Sequence, residues 1–386
     1  MTRVLVRSLL ALALVVAGLI GWRVLRPAEV LDPAADAYPA APARGPGVTG
    51  KTAAAPLIVD GRIRVFAAKR QVKADAPVDA KTAYTPRWSL RRWPEQLNGV
   101  VAIGPTVISR WSDGELVAID GRTGRIAWRA DGPDAGGYTG GGTGATTVWA
   151  PPGLFTSGTT VLVRGGGRAM ALDVATGKTR WQADCTGPGF STDGGQLVCG
   201  AMAYEVVTGK PAARWPAGPY TEVGCAVAHS GCAGLRDAAG HGWLTGARTP
   251  QRAGALDTPG TIVQLVRRTT ATGRVASAFA FSTGAAVVAR SPLTGGELWN
   301  WSGSGRTTVL GAGADSVLLL TGDRQLVTVD ASTGEVRTQF PLAVGTESTD
   351  WTPGLWQVVD GYVAVERLDR DGEAFTVETV VIASGL

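Results

Sequence analysis

The sequence predicts an all-β chain folded as a seven-bladed β-propeller, with eight blades as the alternative, carried on an N-terminal membrane helix and a flexible tether. Three observations lead there. LVAIDGRTGRIAW at 116–128 returns almost letter for letter as AMALDVATGKTRW at 169–181. Glycine takes 54 of 386 positions, and short apolar runs far outnumber long amphipathic ones, which favours strands and turns over helices. An apolar run flanked by arginines opens the chain, and an Ala/Pro-rich stretch follows it.

The opening run sets the address. Arg3 and Arg7 precede apolar residues from Leu9 to Trp22, and Arg23, Arg26 and Pro27 follow. A basic flank before an apolar segment is an export signal. Trp22 and Arg23 stand where a cleavage site needs small residues, and no cysteine is present for a lipid anchor. Counted from Val4 to Leu25, the span reaches the ~20 residues needed to cross a bilayer. Residues 1–26 therefore read as an uncleaved signal anchor, with a removed signal peptide as the alternative. The rest of the chain is expected on the extracytoplasmic side of the cell membrane, as a single-pass protein.

Residues 27–85 read as a tether. Ala, Pro and Gly dominate 27–55 without apolar period, the composition of an extended linker. Within the tether, 57–68 alternates well enough for a strand pair turning at Asp60-Gly61. Charge is uneven. Residues 1–92 carry 15 Lys or Arg against 6 Asp or Glu, whereas the remainder carries 22 against 26. The basic surplus thus lies outside the expected domain of 86–386, which argues against a nucleic-acid partner and suits anionic lipid.

The repeat explains itself residue by residue. Aligned on Thr-Gly, the copies give Asp120, Thr123, Gly124 and Trp128, then Asp173, Thr176, Gly177 and Trp181. Further copies give Glu205, Thr208 and Gly209 with Trp215 two places late. Ser291, Thr294, Gly295 and Trp299 form the next, and Asp330, Thr333 and Gly334 with Thr338 in place of Trp the last. The Asp side chain accepts backbone N–H bonds as the chain reverses, and Thr does so more weakly. Glycine supplies the positive φ that a tight hairpin demands. The next strand then delivers a wide Trp able to cover a neighbouring sheet.

Each such pair has another strand upstream: TVISRWSDG, TTVLVRGGG, RVASAFAFSTG and VLLLTGDR. Units of ~40 residues with four short strands read as propeller blades. The 86 residues between Gly209 and Gly295 leave room for a degenerate blade around CAGLRDAAGHGWLTGARTP. A last blade occupies LWQVVDGYVAVERLDRDGEAFTVETVVIAS. Its missing outer strand is expected from the N-terminal side, at Pro86–Trp93. Eight blades would put 57–68 in a sheet.

The shared signature of strand, Asp-x-x-Thr-Gly, strand, Trp resembles the pyrroloquinoline-quinone-like β-propeller repeat family. That group includes quinoprotein dehydrogenases and an outer-membrane assembly lipoprotein. The resemblance covers most of 86–386; it is specific for fold and poor for function.

Chemical motifs are few. ATGKT at 175–179 mimics the tail of a phosphate loop, but Leu172 stands where the motif needs Gly, and a strand follows rather than a helix. GYTGGGTG at 137–144 lacks strand–loop–helix context and reads as a long flexible loop between blades, free to take a partner. LDRDGE at 368–373 reads as a hairpin turn rather than a calcium loop. His229 and His241 have no metal ligands at sequence spacing, and no nucleophile elbow is present. The resemblance implies a quinone cofactor with calcium in the enzymes, often with an adjacent Cys-Cys disulfide, which this chain lacks.

Four cysteines, Cys185, Cys199, Cys225 and Cys232, lie in the exported part, where disulfides persist. Of the three possible connectivities, the two local bridges, 185–199 and 225–232, are expected; four free buried thiols are the alternative.

The functional expectation is a monomeric, non-catalytic scaffold for an envelope or secreted protein, without cofactor or metal. The alternative is a ligand- or quinone-binding propeller with oxidoreductase activity at the channel mouth.

Overall fold

A computed structural model describes residues 13–18, 28–43, 45–79, 85–225, 228–257, 263–270, 273–282, 284, 286–291, 294–312, 315–345, 351–368 and 379–384. The chain is all-β, and its described strands form eight sheets, the count of the alternative that places 57–68 in a sheet. Every sheet is antiparallel, and six are meanders of consecutive strands; the other two each take one further strand from the N-terminal side.

Blade 1 runs through Pro56–Val59, Ile63–Ala68, Gln71–Asp75 and Pro86–Trp93, and Ala28–Asp32 adds a fifth strand outside Pro86–Trp93. Blade 2 comprises Leu97–Ile103, Thr106–Trp111, Glu115–Asp120 and Ile126–Asp131. Blade 3 comprises Leu154–Ser157, Thr160–Gly165, Arg168–Asp173 and Thr179–Asp184. Blade 4 has three strands, Gly189–Ser191, Gln196–Cys199 and Met202–Glu205. Blade 5, with short strands between Thr221 and Arg252, is the degenerate unit expected around CAGLRDAAGHGWLTGARTP. Blade 6 spans 263–302 and blade 7 spans 308–341.

Blade 8 closes the ring. Thr352–Val359, Tyr362–Leu368 and Thr379–Ser384 come from the C-terminal end, and Gly47–Thr52 supplies the fourth strand. The closing strand does come from the N-terminal side, but it is not Pro86–Trp93. That segment is held in blade 1 by Trp88, whose buried ring and indole N–H engage blade 2. Gly47–Thr52 is nearly free of large apolar residues and contributes backbone bonds to an otherwise open edge.

The alternation of each strand places one set of side chains against the preceding blade and the other against the next. Ile63 and Leu57 of blade 1 share a core with Val107 and Val117 of blade 2 and with Ala364 and Ile382 of blade 8. Val317 and Val327 of blade 7 pack with Val287 and Ala289 of blade 6. Phe190 and Val198 of blade 4 meet Leu235 of blade 5.

The expected tether therefore carries strands of two blades, including the pair Pro56–Val59 and Ile63–Ala68, which turns at Asp60-Gly61. Arginines of the basic stretch 1–92 are engaged in the fold rather than held for lipid. Arg62 and Arg70 of the tether donate to the carbonyls of Pro39 and Pro94; just after it, Arg92 pairs with Glu29, Asp113 and Glu115, and Arg87 donates to the carbonyls of Asp36, Ala37 and Arg122. Residues 28–386 carry 33 Lys or Arg and 32 Asp or Glu, so the folded part is close to neutral.

Of the expected membrane span, residues 13–18 are helical and exposed, and the rest of 1–26 lies outside the described residues. Among the described residues no helix is long and apolar enough to cross a membrane. The turn expected at LDRDGE falls on 369–373, also outside the described residues.

Candidate functional site

The repeat turns join the third and fourth strands of blades 2, 3, 6 and 7, and in three-stranded blade 4 the turn follows the third strand. Asp120 accepts the Arg122 N–H at 3.0 Å and the Thr123 hydroxyl at 3.1 Å, and its carbonyl accepts the Gly124 N–H at 2.7 Å. Asp173 repeats this with Ala175, Thr176 and Gly177. Arg180 adds an ion pair at 2.6 Å. The Arg180 and Thr176 bonds hold the Asp173 carboxyl below the usual range. Glu205 takes the Asp role through the Thr208 hydroxyl at 3.0 Å. Asp330 binds Ser332, Thr333 and Arg337, and bonds from Ser332 and Arg337 depress its carboxyl strongly. In the Ser291 copy, the Ser291 hydroxyl accepts the Thr294 N–H at 3.3 Å. Gly124, Gly177, Gly209, Gly295 and Gly334 all have φ between 68° and 74°.

These glycines are also docking points. The ring of Trp128, on the outer strand of blade 2, lies where a Cβ on Gly177 of blade 3 would meet it at 2.6 Å. Its indole N–H donates to the Val174 carbonyl at 2.7 Å, three residues before that glycine. Trp181 does the same to Gly209 and the Val206 carbonyl, and Trp299 to Gly334 and the Ala331 carbonyl. The pattern has a fourth member absent from the sequence reading: Trp88 covers Gly124 and donates to the Gly121 carbonyl. Each tryptophan locks one blade onto the next blade's turn. An aromatic side chain buries roughly 150–250 Å²; at ~25 cal/mol/Å² this is about 4–6 kcal/mol of gross apolar burial per seam.

Gly295 breaks the series, since a Cβ there would meet nothing within 4 Å. Trp215, expected two places late, donates instead to the Arg248 carbonyl at 3.4 Å and stacks edge-on against Tyr220.

Because strands alternate in direction, the repeat turns lie on one face of the ring and the blade-to-blade connections on the other. The connection from blade 2 to blade 3 is the long one and contains GYTGGGTG. It is not a free loop. A short helix, α1 (Ala145–Trp149), packs on the innermost strands of blades 8, 1 and 2. Trp149 is buried and donates to the Pro56 carbonyl at 2.9 Å, while Ala55 N–H donates to the Thr143 carbonyl at 2.7 Å. Glu366 accepts the Thr143 hydroxyl and, at 3.1 Å, the Leu355 N–H. The apolar residues Ala145, Val148 and Trp149 just after the glycines drive this docking.

Beside α1, a cleft of about 450 Å³ opens at the seam of blades 2, 3 and 4. Two arginines line it from equivalent places, the fifth residue of the second strand in successive blades: Arg110 in TVISRW and Arg164 in TVLVRG. Arg110 is 2% exposed, and its terminal nitrogens donate to the carbonyls of Pro133, Asp134, Pro152, Gly153 and Arg164. Burial, then the charge of Arg164, pushes its guanidinium down to about 10, against the attraction of Asp134. Arg164 reaches one blade further and donates to the Gly187 carbonyl. Gly165, Gly166 and Gly167 form the wall between them, the last two in left-handed conformation and exposed.

Both expected disulfides are present, Cys185–Cys199 and Cys225–Cys232. The one grouping among the described residues with metal-ligand proximity is Glu222 with Cys225 and Cys232, whose sulfurs are already bonded to each other. His229 does have an acidic partner, Glu222 at 2.8 Å, seven residues away across a loop. That hydrogen bond holds the imidazole above its usual value, against burial and the charge of Arg164. His241 lies 3.6 Å from Asp237.

A family profile described as outer membrane protein assembly factor BamB matches residues 46–135 and 112–300. BamB from Moraxella catarrhalis is a structural match at 16% identity, with 92% of this chain and 98% of that chain covered and a TM-score of 0.43. The designed protein Ika8 matches at 15% identity, covering 88% and 96%, with a TM-score of 0.48. The C-terminal WD40 domain of Sif2 matches at 11% identity, covering 88% and 97%, with a TM-score of 0.47. No curated protein matches the sequence directly.

Proposed function

We infer the role of this chain from its family: it belongs to the β-propeller repeat proteins described as outer membrane protein assembly factor BamB. We propose a non-catalytic scaffold that presents its connection face to a protein of the cell envelope. The single observation that carries this is the helix α1 docked on the innermost strands of blades 8, 1 and 2, which engages the side chains there. Trp149 is spent on Pro56, and the Glu366 carboxylate on Thr143 and Leu355. An aromatic face and converging acidic oxygens are what a quinone with calcium needs. With Trp149 and Glu366 engaged inside the fold, these two side chains favour a structural role over holding that group.

Two disulfides favour an extracytoplasmic location. The exposed Leu14, Val15 and Val16 on the helical segment 13–18 favour an N-terminal membrane anchor. The near-even charge of 28–386 gives no support to nucleic acid as a partner.

Photo-crosslinking residues placed at Arg168 and Met202, both at hairpin tips on the connection face, in intact cells test the scaffold role. One recurrent envelope protein captured from the connection face is expected. Absence of adducts at every position, together with dye reduction after addition of quinone and calcium to the purified chain, would replace this reading with the oxidoreductase.

A further inference from the structure

The cleft between blades 2, 3 and 4 holds positive charge that the fold does not neutralise. Arg110 and Arg164 have no carboxylate within ion-pair distance among the described residues. The two differ in what they have left to give. Arg110 spends both terminal nitrogens on five carbonyls and clamps the loop leading into blade 3. Arg164 spends one terminal nitrogen on Gly187, and its Nε is buried without a partner. Its second terminal nitrogen makes no hydrogen bond among the described residues.

The walls suit close approach by a main chain. Gly165, Gly166, Gly167 and Gly187 present backbone without side chains along the cleft. Gly166 and Gly167 sit at φ 55° and 77° in the two-residue hairpin tip between Gly165 and Arg168, the exposed turn type that glycine makes available.

We propose that this cleft receives a carboxylate side chain of an extended acidic segment of a partner protein, paired with Arg164. The inference rests on the scaffold reading and names the chemistry of its partner. The unspent terminal nitrogen of Arg164 can donate a charge-assisted hydrogen bond to a carboxylate oxygen. A phosphate offers more oxygens than the one unspent arginine satisfies, and Asp134 on the cleft wall repels a dianion. Arg110 raises the local potential and holds the cleft open; Arg164 makes the contact.

The test uses the full-length chain in mild detergent and four probes: a fluorescein-labelled decapeptide alternating Glu and Ser, its Gln counterpart, inorganic phosphate and free glutamate. The Glu peptide is expected to bind at least tenfold more tightly than the Gln peptide, with affinity falling as salt rises. Arg164→Gln is expected to lose about tenfold or more of that affinity, and Arg164→Lys to keep part of it, since lysine keeps the charge but not the fork. An unchanged unfolding midpoint shows that Arg164→Gln is folded. Equal binding of the Glu peptide to the native chain and Arg164→Gln overturns the site. Displacement of the peptide by phosphate at lower concentration than by free glutamate overturns the carboxylate assignment. In cells, adducts at Met202 without any at Arg168 sink this inference alone, whereas no adducts at either position sink the scaffold reading with it.

Discussion

Gly177→Ala is the sharpest test of how the blades are joined, because the fold supplies its own control. Gly177 and Gly295 occupy the same turn position, at φ 68° and 70°. A methyl at either costs ~1–2 kcal/mol for left-handed backbone. At Gly177 the methyl also meets the Trp128 ring at 2.6 Å, and the ring is tied to the Val174 carbonyl at 2.7 Å and so cannot slide away. Forced overpacking adds about 1–3 kcal/mol. At Gly295 nothing lies within 4 Å. Urea unfolding followed by far-ultraviolet circular dichroism is expected to show Gly177→Ala losing about 2–5 kcal/mol and Gly295→Ala about 1–2 kcal/mol. Adding Trp128→Ala removes the obstacle, so the cost of Gly177→Ala falls toward that of Gly295→Ala, a coupling read by a double-mutant cycle. Equal losses at the two glycines would refute tryptophan docking as the link between blades.

Trp88→Phe keeps a ring over Gly124 but leaves the Gly121 carbonyl without its donor; a loss of about 1–3 kcal/mol in the same unfolding assay is expected. Replacing Cys185 and Cys199 by Ala opens a bridge of sequence separation 14 and is expected to lower stability by about 3 kcal/mol, measured against the native chain without reductant. Asp330 has a depressed folded pKa, so its contribution is present above the ordinary carboxylate range near 4 and is lost as pH falls. Asp330→Asn is expected to flatten the acid limb of the stability–pH curve. His229 is shifted the other way: its contribution is full below about 6.5 and lost as pH rises through the folded value. His229→Asn, which tolerates the positive φ there, is expected to remove the slope that begins near pH 6.5 and runs up to the folded value.

The parts of this architecture that repeat were legible in the chain. Asp120, Thr123, Gly124 and their copies declare a turn because each letter has a backbone reason to be there, and the cysteine pairs declare themselves by being local. Trp88 escaped notice because its own blade has no Thr-Gly turn: Asp79 and Thr82 keep the repeat spacing, but Ala83 stands where the copies have glycine. The closing strand escaped because Gly47–Thr52 has one large apolar residue, Val48, and strand formation there is imposed by the open edge of Thr379–Ser384. The glycines of 137–144 misled because composition reports local freedom, while the order of that loop comes from Trp149 and Ala145 downstream. The cleft had a signal, the matching arginines of TVISRW and TVLVRG, but an arginine at one strand position names no chemistry until the fold shows what surrounds it.

Every surface assigned above depends on the ring being closed by the N-terminal strand, and one crosslinking measurement addresses that directly. Lys51 faces Val381 in blade 8, whereas Arg91 lies in blade 1 opposite Gln71. In otherwise cysteine-free chains oxidised under native conditions, Lys51→Cys with Val381→Cys is expected to form a disulfide that shifts mobility on a gel, and Arg91→Cys with Val381→Cys is not. A bridge from position 91, with none from position 51, would contradict the closure and the placement of both faces.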